Sequence, residues 1–258
     1  SLPAVFVSHG APTLLIDEGP THTFFTGLAE LFARPRAVLC ISAHWETATP
    51  KVSSTEKPDT IHDFYGFPDV LYQASYPAPG DPALAERVVG MLRDAGLDAD
   101  TDPDRGLDHG AWVPLKLAYP AADIPVVQLS LQPALGPSHH IRLGQVLRPL
   151  RDDGVLIMGS GGATHNLSEF RGQSIDAMPA DYAQAFDVWL EQVLIGGNME
   201  SLINYEQEAP SARRNHPTVE HFVPLFVALG AAGIDATASK IHSAFTYGVL
   251  SMAAYAWE

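Results

Sequence analysis

Four short aliphatic runs lack polar alternation: Ala4 to Val7, Ala37 to Ile41, Val126 to Leu131 and Val155 to Met158. Each is rich in β-branched or aliphatic side chains and is followed by polar, Gly or Pro residues, which predicts a buried strand. Between them, apolar residues recur at helix spacing. Leu84, Val88, Met91 and Ala95 follow Asp81-Pro82, a favourable helix start. Leu143, Leu147 and Leu150 follow Ser138, and Tyr182, Phe186, Trp189 and Val193 follow Ala180. Phe222 to Ala231 is apolar nearly all round, which predicts a buried helix. Unalternating strands separated by helices predict an α/β fold: a single domain over residues 1–258 whose mostly parallel sheet has helices on both faces. Lys51 to Ser54 and Ala244 to Ala254 are candidate additional strands. Lys57 to Pro79, rich in aromatics, Pro and Gly without a period, predicts a long ordered loop, and such loops are often functional.

The positions where these strands end matter more than the strands themselves. The first run leads into Ser8-His9-Gly10, the second into Ser42-Ala43-His44-Trp45, and the run at Val155 into a Gly-rich turn closing on Thr164-His165-Asn166. Sites in open α/β sheets form outside the carboxyl ends of the strands. If the runs are parallel neighbours, His9, His44 and His165 converge on one crevice. His221, just before the apolar helix, and His109, in Asp108-His109-Gly110, are further candidates. Clustered neutral imidazoles suit a divalent transition metal. Any one of these histidines alone reads more readily as a hydrogen-bonded structural residue; three at strand ends do not. His22, His139, His140 and His242 lack this context and are assigned to surface or helix-end positions.

Composition narrows the function classes. Thirty acidic against 15 basic residues give a net charge of −15, which disfavours nucleic acid and anionic membrane surfaces as partners. No apolar run approaches the roughly 20 residues of a membrane span. The residues from Ser1 to Gly10 show no basic segment followed by a secretory apolar stretch, so the expectation is a cytoplasmic protein. The single cysteine, Cys40, excludes an internal disulfide framework and reads as core.

A set of motifs in order along nearly the whole chain resembles the class III extradiol ring-cleavage dioxygenase superfamily, and more closely its DOPA-dioxygenase-like branch. They are Ser8-His9-Gly10-Ala11-Pro12, Ser42-Ala43-His44-Trp45, Ile61-His62-Asp63-Phe64-Tyr65-Gly66-Phe67-Pro68, Tyr76-Pro77-Ala78-Pro79-Gly80, Asp108-His109-Gly110, Thr164-His165-Asn166-Leu167, Pro217-Thr218-Val219-Glu220-His221 and Leu250-Ser251-Met252. The resemblance implies a non-haem Fe(II) site, with zinc found in some members, and His9, His44 and His221 as its ligands. His165 matches a histidine that is either the acid/base or a further metal contact, and His109 one that hydrogen-bonds substrate or superoxide. Better-known members use two histidines and a glutamate; here His221 stands where the carboxylate would be, with Glu220 adjacent, so either side chain remains the candidate ligand. Ferrous iron is expected, since extradiol cleavage needs a metal that changes oxidation state and zinc does not.

The implied reaction joins a catechol-type small molecule and O₂ to give a muconic semialdehyde. His62, Phe64 and Tyr65 are candidates for a wall over the aromatic ring, with Trp45 and Tyr76 weaker ones. Arg213 and Arg214 are candidates for a positive group facing an anionic catechol. A homo-oligomer is compatible with the sequence. Two rival readings use the same residues: a zinc hydrolase on the histidine site, and a non-catalytic metal- or ligand-binding protein. Ser160 lies in Gly159-Ser160-Gly161, a poor match to a serine-hydrolase elbow, and the turn lacks the Gly-Lys-Ser/Thr of a P-loop.

Overall fold

The computed structural model describes residues 1–233 and 236–258. In chain order its elements are β1 (Ala4–Ser8), α1 (Pro20–Leu31), β2 (Ala37–Ser42), β3 (Lys51–Ser53), α2 (Asp69–Gln73), α3 (Pro82–Asp94), β4 (Asp100–Asp102), α4 (His109–Ala118), β5 (Val126–Gln128), α5 (Gly136–Leu147), β6 (Val155–Gly161), α6 (Asp181–Ile195), α7 (Met199–Ile203), α8 (Tyr205–Glu208), α9 (Ala212–Asn215), α10 (Val223–Ala232), β7 (Ser239–His242), β8 (Phe245–Thr246), β9 (Leu250–Ser251) and β10 (Ala254–Trp257). The central sheet runs β5-β2-β6-β1-β10-β7. Strands β5, β2, β6 and β1 are parallel, and β10 inserts antiparallel beside β1.

Side chains along each central strand alternate between two cores, which is why the runs read as continuously apolar. Phe6, Leu39, Ile41 and Ile157 pack under α5, α6 and α10, whereas Val5, Val7, Val38, Cys40 and Met158 pack under α1 and α4. The expectation of a mostly parallel α/β sheet covered on both faces holds. Asp81 caps α3 by accepting from the Leu84 N–H (2.9 Å), so that start was legible in the sequence. Cys40 is a buried free thiol.

Several expectations need correction. The segment Ala244 to Ala254 is not one strand: β8 and β9 form a separate two-stranded ribbon, and the residues that enter the central sheet are Ala254–Trp257. The region Lys57 to Pro79 contains the short helix α2. The run Val126 to Leu131 pairs as a strand only to Gln128 and continues as isolated bridges to Val52 and Glu46. Leu150 leaves α5 for a 3₁₀ turn at Arg148–Arg151, because Pro149 has no N–H to continue the helix. His140 is fully buried, with Nδ1–H donating to the Gly136 carbonyl and Nε2 accepting from the Gln132 N–H. His242 lies on strand β7, stacked 4.5 Å from Phe24. Helix α4 has no readable amphipathic period, being buried on nearly every side and interrupted by Pro114.

Candidate metal and active site

The carboxyl ends of β1, β2 and β6 deliver His9, His44 and the turn bearing His165 to one end of the sheet, and the N-terminus of α4 brings His109 over them. His221 arrives from the turn before α10. That turn lies so close to β6 that a Cβ on Gly161 would sit 2.0 Å from the His221 carbonyl oxygen, so only glycine fits there. The same holds for Gly110 in α4, whose Cβ would lie 2.4 Å from Ser42 Oγ and 3.1 Å from the rings of His44 and His9.

Ring nitrogens of His9, His44 and His221 lie within 4.8 Å of one another, and His9 Nε2 is 3.0 Å from His44 Nε2. The partners behind the rings fix which nitrogen faces inward. Ser160 Oγ donates to the Gly110 carbonyl and therefore accepts from His9 Nδ1–H (3.0 Å), leaving the His9 Nε2 lone pair toward the cluster. His221 Nδ1–H donates to Glu220 Oε1 (2.9 Å). His109 Nδ1–H donates to Asp63 Oδ1 (2.9 Å), which also accepts the His109 backbone N–H (3.0 Å). The other Asp63 oxygen lies 3.6 Å from His44 Nδ1.

Burial first, and then the mutual repulsion of the clustered rings, hold His9 and His221 well below the usual histidine range. Burial likewise lowers His44 and His165 to about 4. Burial alone would raise Asp63, but its bonds to His109 outweigh this and hold it at about 2. Near neutral pH His9, His44, His165 and His221 are thus uncharged imidazoles, His9 backed by a hydroxyl and His221 by a carboxylate. This donor set fits a divalent transition metal.

His165 is stacked on His221, with ring centres 3.4 Å apart and planes 9° from parallel. A ring nitrogen of His165, a carboxylate oxygen of Glu220 and a ring nitrogen of His221 also lie within 4.8 Å of one another.

Two residues with clear roles here were not singled out from sequence: Ser160 as the partner of His9, and Asp63 as the partner of His109. The signal for Asp63 was its place beside His62 in a quoted motif; Ser160 had none beyond its position in the Gly-rich turn. A third, Asp108, is fully buried and accepts from Ser42, Arg105 and Gln128, which anchors the loop carrying His44 to α4. His216 is also buried; its Nε2–H donates to the Ala163 carbonyl just before the His165 turn.

The aromatic loop is only partly near the cluster. Phe64 is buried with its ring edge-on to His109 at 5.7 Å. His62 faces Trp112 and donates to the Ala74 carbonyl, whereas Tyr65 is 92% exposed and walls nothing. Tyr76 is core, its hydroxyl bonded to the Tyr119 carbonyl, and Trp45 packs beneath Arg105. Arg214 is held by both oxygens of Glu169 and stacks on Tyr182, so it offers no free charge to a ligand. Ser160 is fully buried and engaged on both sides, which removes it as a nucleophile. A cavity of about 330 Å³ opens beyond Gly10 and Met252, and none of the five histidines lines it.

Comparison with known proteins covers almost the whole chain. The family described as the catalytic LigB subunit of aromatic ring-opening dioxygenase matches residues 3–257. The chain belongs to the LigB family. Within it, the chain is 49% identical over 254 residues to a protein of Beta vulgaris named 4,5-DOPA dioxygenase extradiol, covering 97% of this chain and 94% of that one. An Escherichia coli protein of the same name is 38% identical over 89% of this chain and 85% of its own. The crystal structure of an uncharacterized Escherichia coli K12 protein superposes with a TM-score of 0.80 at 32% identity, covering 99% of both chains. This LigB-family chain is therefore an extradiol ring-cleavage dioxygenase of the DOPA-dioxygenase-like branch, an enzyme and not merely a binding protein. Among the described residues no helix is long and apolar enough to cross a membrane.

Proposed function

We propose that this dioxygenase is Fe(II)-dependent and opens a catechol ring beside its two hydroxyls, placing both atoms of O₂ in a muconic semialdehyde. His9, His44 and His221 would hold the metal. The observation that carries this reading is the 3.0 Å approach of His9 Nε2 and His44 Nε2, on two rings that burial holds uncharged. A bound ferrous ion supplies the one-electron relay that lets triplet O₂ react with a singlet ring. Two imidazoles left outside the ligand set have separate duties. His109, with Nδ1–H committed to Asp63, keeps Nε2 for a hydrogen bond with bound substrate or superoxide. His165, uncharged, half-buried and stacked on His221, takes a hydroxyl proton and returns one as the ring opens. Phe64 edges the ring-binding space beside His109. The free, buried Cys40 suits a reducing cytoplasm.

The test is anaerobic loading with Fe(II), then a panel of catechols headed by DOPA, since relatives are named for it. Stoichiometric O₂ uptake with a yellow semialdehyde chromophore is expected. Ester or amide cleavage by the zinc-loaded protein, without O₂ uptake by the iron form, would establish the hydrolase reading instead. His165→Asn is expected to keep its metal and lose turnover; lost metal would make His165 a ligand.

A further inference from the structure

The three histidines proposed above as ligands are backed by chemically different partners. Behind His9 stands the neutral hydroxyl of Ser160. Behind His44 the nearest carboxylate oxygen, on Asp63, is 3.6 Å away, beyond hydrogen-bond reach, and Asp63 spends its other oxygen on His109. Only His221 donates at hydrogen-bond distance to a carboxylate, Glu220 Oε1 at 2.9 Å. That same oxygen accepts the Thr218 hydroxyl at 3.0 Å, which aims the carboxylate at the back of the ring. A carboxylate accepting the outer N–H of an imidazole fixes its tautomer and raises the electron density of the inner nitrogen. It also sets one negative charge a single ring away from the ion.

We propose that Glu220 is a positioning residue that supplies carboxylate charge to the metal through His221 instead of binding it directly. The proposal rests on the reading of His9, His44 and His221 as ligands. It explains how three neutral imidazoles serve redox chemistry: a negative charge close to the ion favours the ferric form over the ferrous one and lowers the potential at which electrons leave.

The experiment titrates the metal-free full-length protein with Co(II), followed by its visible bands, and measures the Fe(III)/Fe(II) midpoint potential of the iron-loaded protein. Glu220→Gln keeps an oxygen that accepts from both Thr218 and His221 while removing the charge. Its expected result is a fall in Co(II) affinity of about 10–100-fold with a raised midpoint potential and an unchanged melting temperature of the metal-free protein. Thr218→Val, which keeps the charge, is expected to bind within a few-fold of wild type. Wild-type affinity and potential in Glu220→Gln would overturn the proposal, as would an equal loss in Thr218→Val, which would assign the effect to packing of the turn. If the wild type fails to bind Co(II), or His9→Ala binds as well as wild type, the ligand assignment itself falls, and the proposal with it.

Discussion

Pro114 and Ser160 meet at one carbonyl group. Pro114 has no N–H to return to the Gly110 carbonyl inside α4, and Ser160 Oγ donates to that oxygen instead. Ser160 is then free only to accept, and it accepts from His9 Nδ1. A proline in one helix thus determines which nitrogen of a histidine at a neighbouring strand end carries the proton.

Ser160→Ala removes this link. The His9 Nδ1–H and the Gly110 carbonyl both lose a buried partner, and each such loss costs about 1–3 kcal/mol. Denaturant unfolding is expected to show a destabilisation of that order, and metal titration a fall in affinity of about 10–100-fold. Metal affinity equal to wild type would mean that the tautomer of His9 is set elsewhere.

Gly110→Ala places a methyl group 2.4 Å from Ser42 Oγ and 3.1 Å from His44 and His9. Overpacking of this kind costs about 1–3 kcal/mol. Because two of the nearest groups are the proposed ligands, metal binding is expected to fail at temperatures where circular dichroism still reports a folded protein.

Asp63→Asn replaces a carboxylate, held at about 2 by His109, with a neutral acceptor. The amide oxygen still accepts from the His109 ring and backbone N–H, but the bond that orients the ring loses its charge assistance. The expected outcome is a drop in kcat of about 10-fold, the effect of weakening one charge-assisted hydrogen bond, with metal content unchanged, read by steady-state kinetics beside metal analysis.

Acid sensitivity follows from the buried histidines. Burial lowers His140, His216, His44 and His165 to about 4 in the folded chain, against about 6.5 when unfolded. Between those values the unfolded chain binds protons that the folded chain refuses, so stability is fully present above about pH 6.5 and is lost as the pH falls toward 4. Urea midpoints of the metal-free protein are expected to drop steeply across this window and to level off below it. Metal binding should show little pH dependence from 7 down to about 5, because the ligands are already deprotonated there; a steep decline starting at pH 7 would contradict the lowered values.

The strands and their order of appearance were legible because a strand buried on both faces has to be apolar at every position, and Ala4 to Val7, Ala37 to Ile41 and Val155 to Met158 are. Strand-end histidines were legible for a related reason, since a parallel sheet places its carboxyl ends together. The C-terminal strand and the ribbon before it were not, because Ala254–Trp257 is short and its pairing with β1 joins the two ends of the sequence. Nor did local pattern show that Tyr65 faces solvent while Phe64 faces His109, for adjacent loop residues differ only through what packs against them. The amino-acid sequence by itself determined the set of imidazoles and the scaffold that gathers them. Only the tertiary structure decided their tautomers, through Ser160, Asp63 and Glu220, and the stacked orientation of His165, because a hydrogen bond between distant residues depends on ångström-scale placement that no periodicity records.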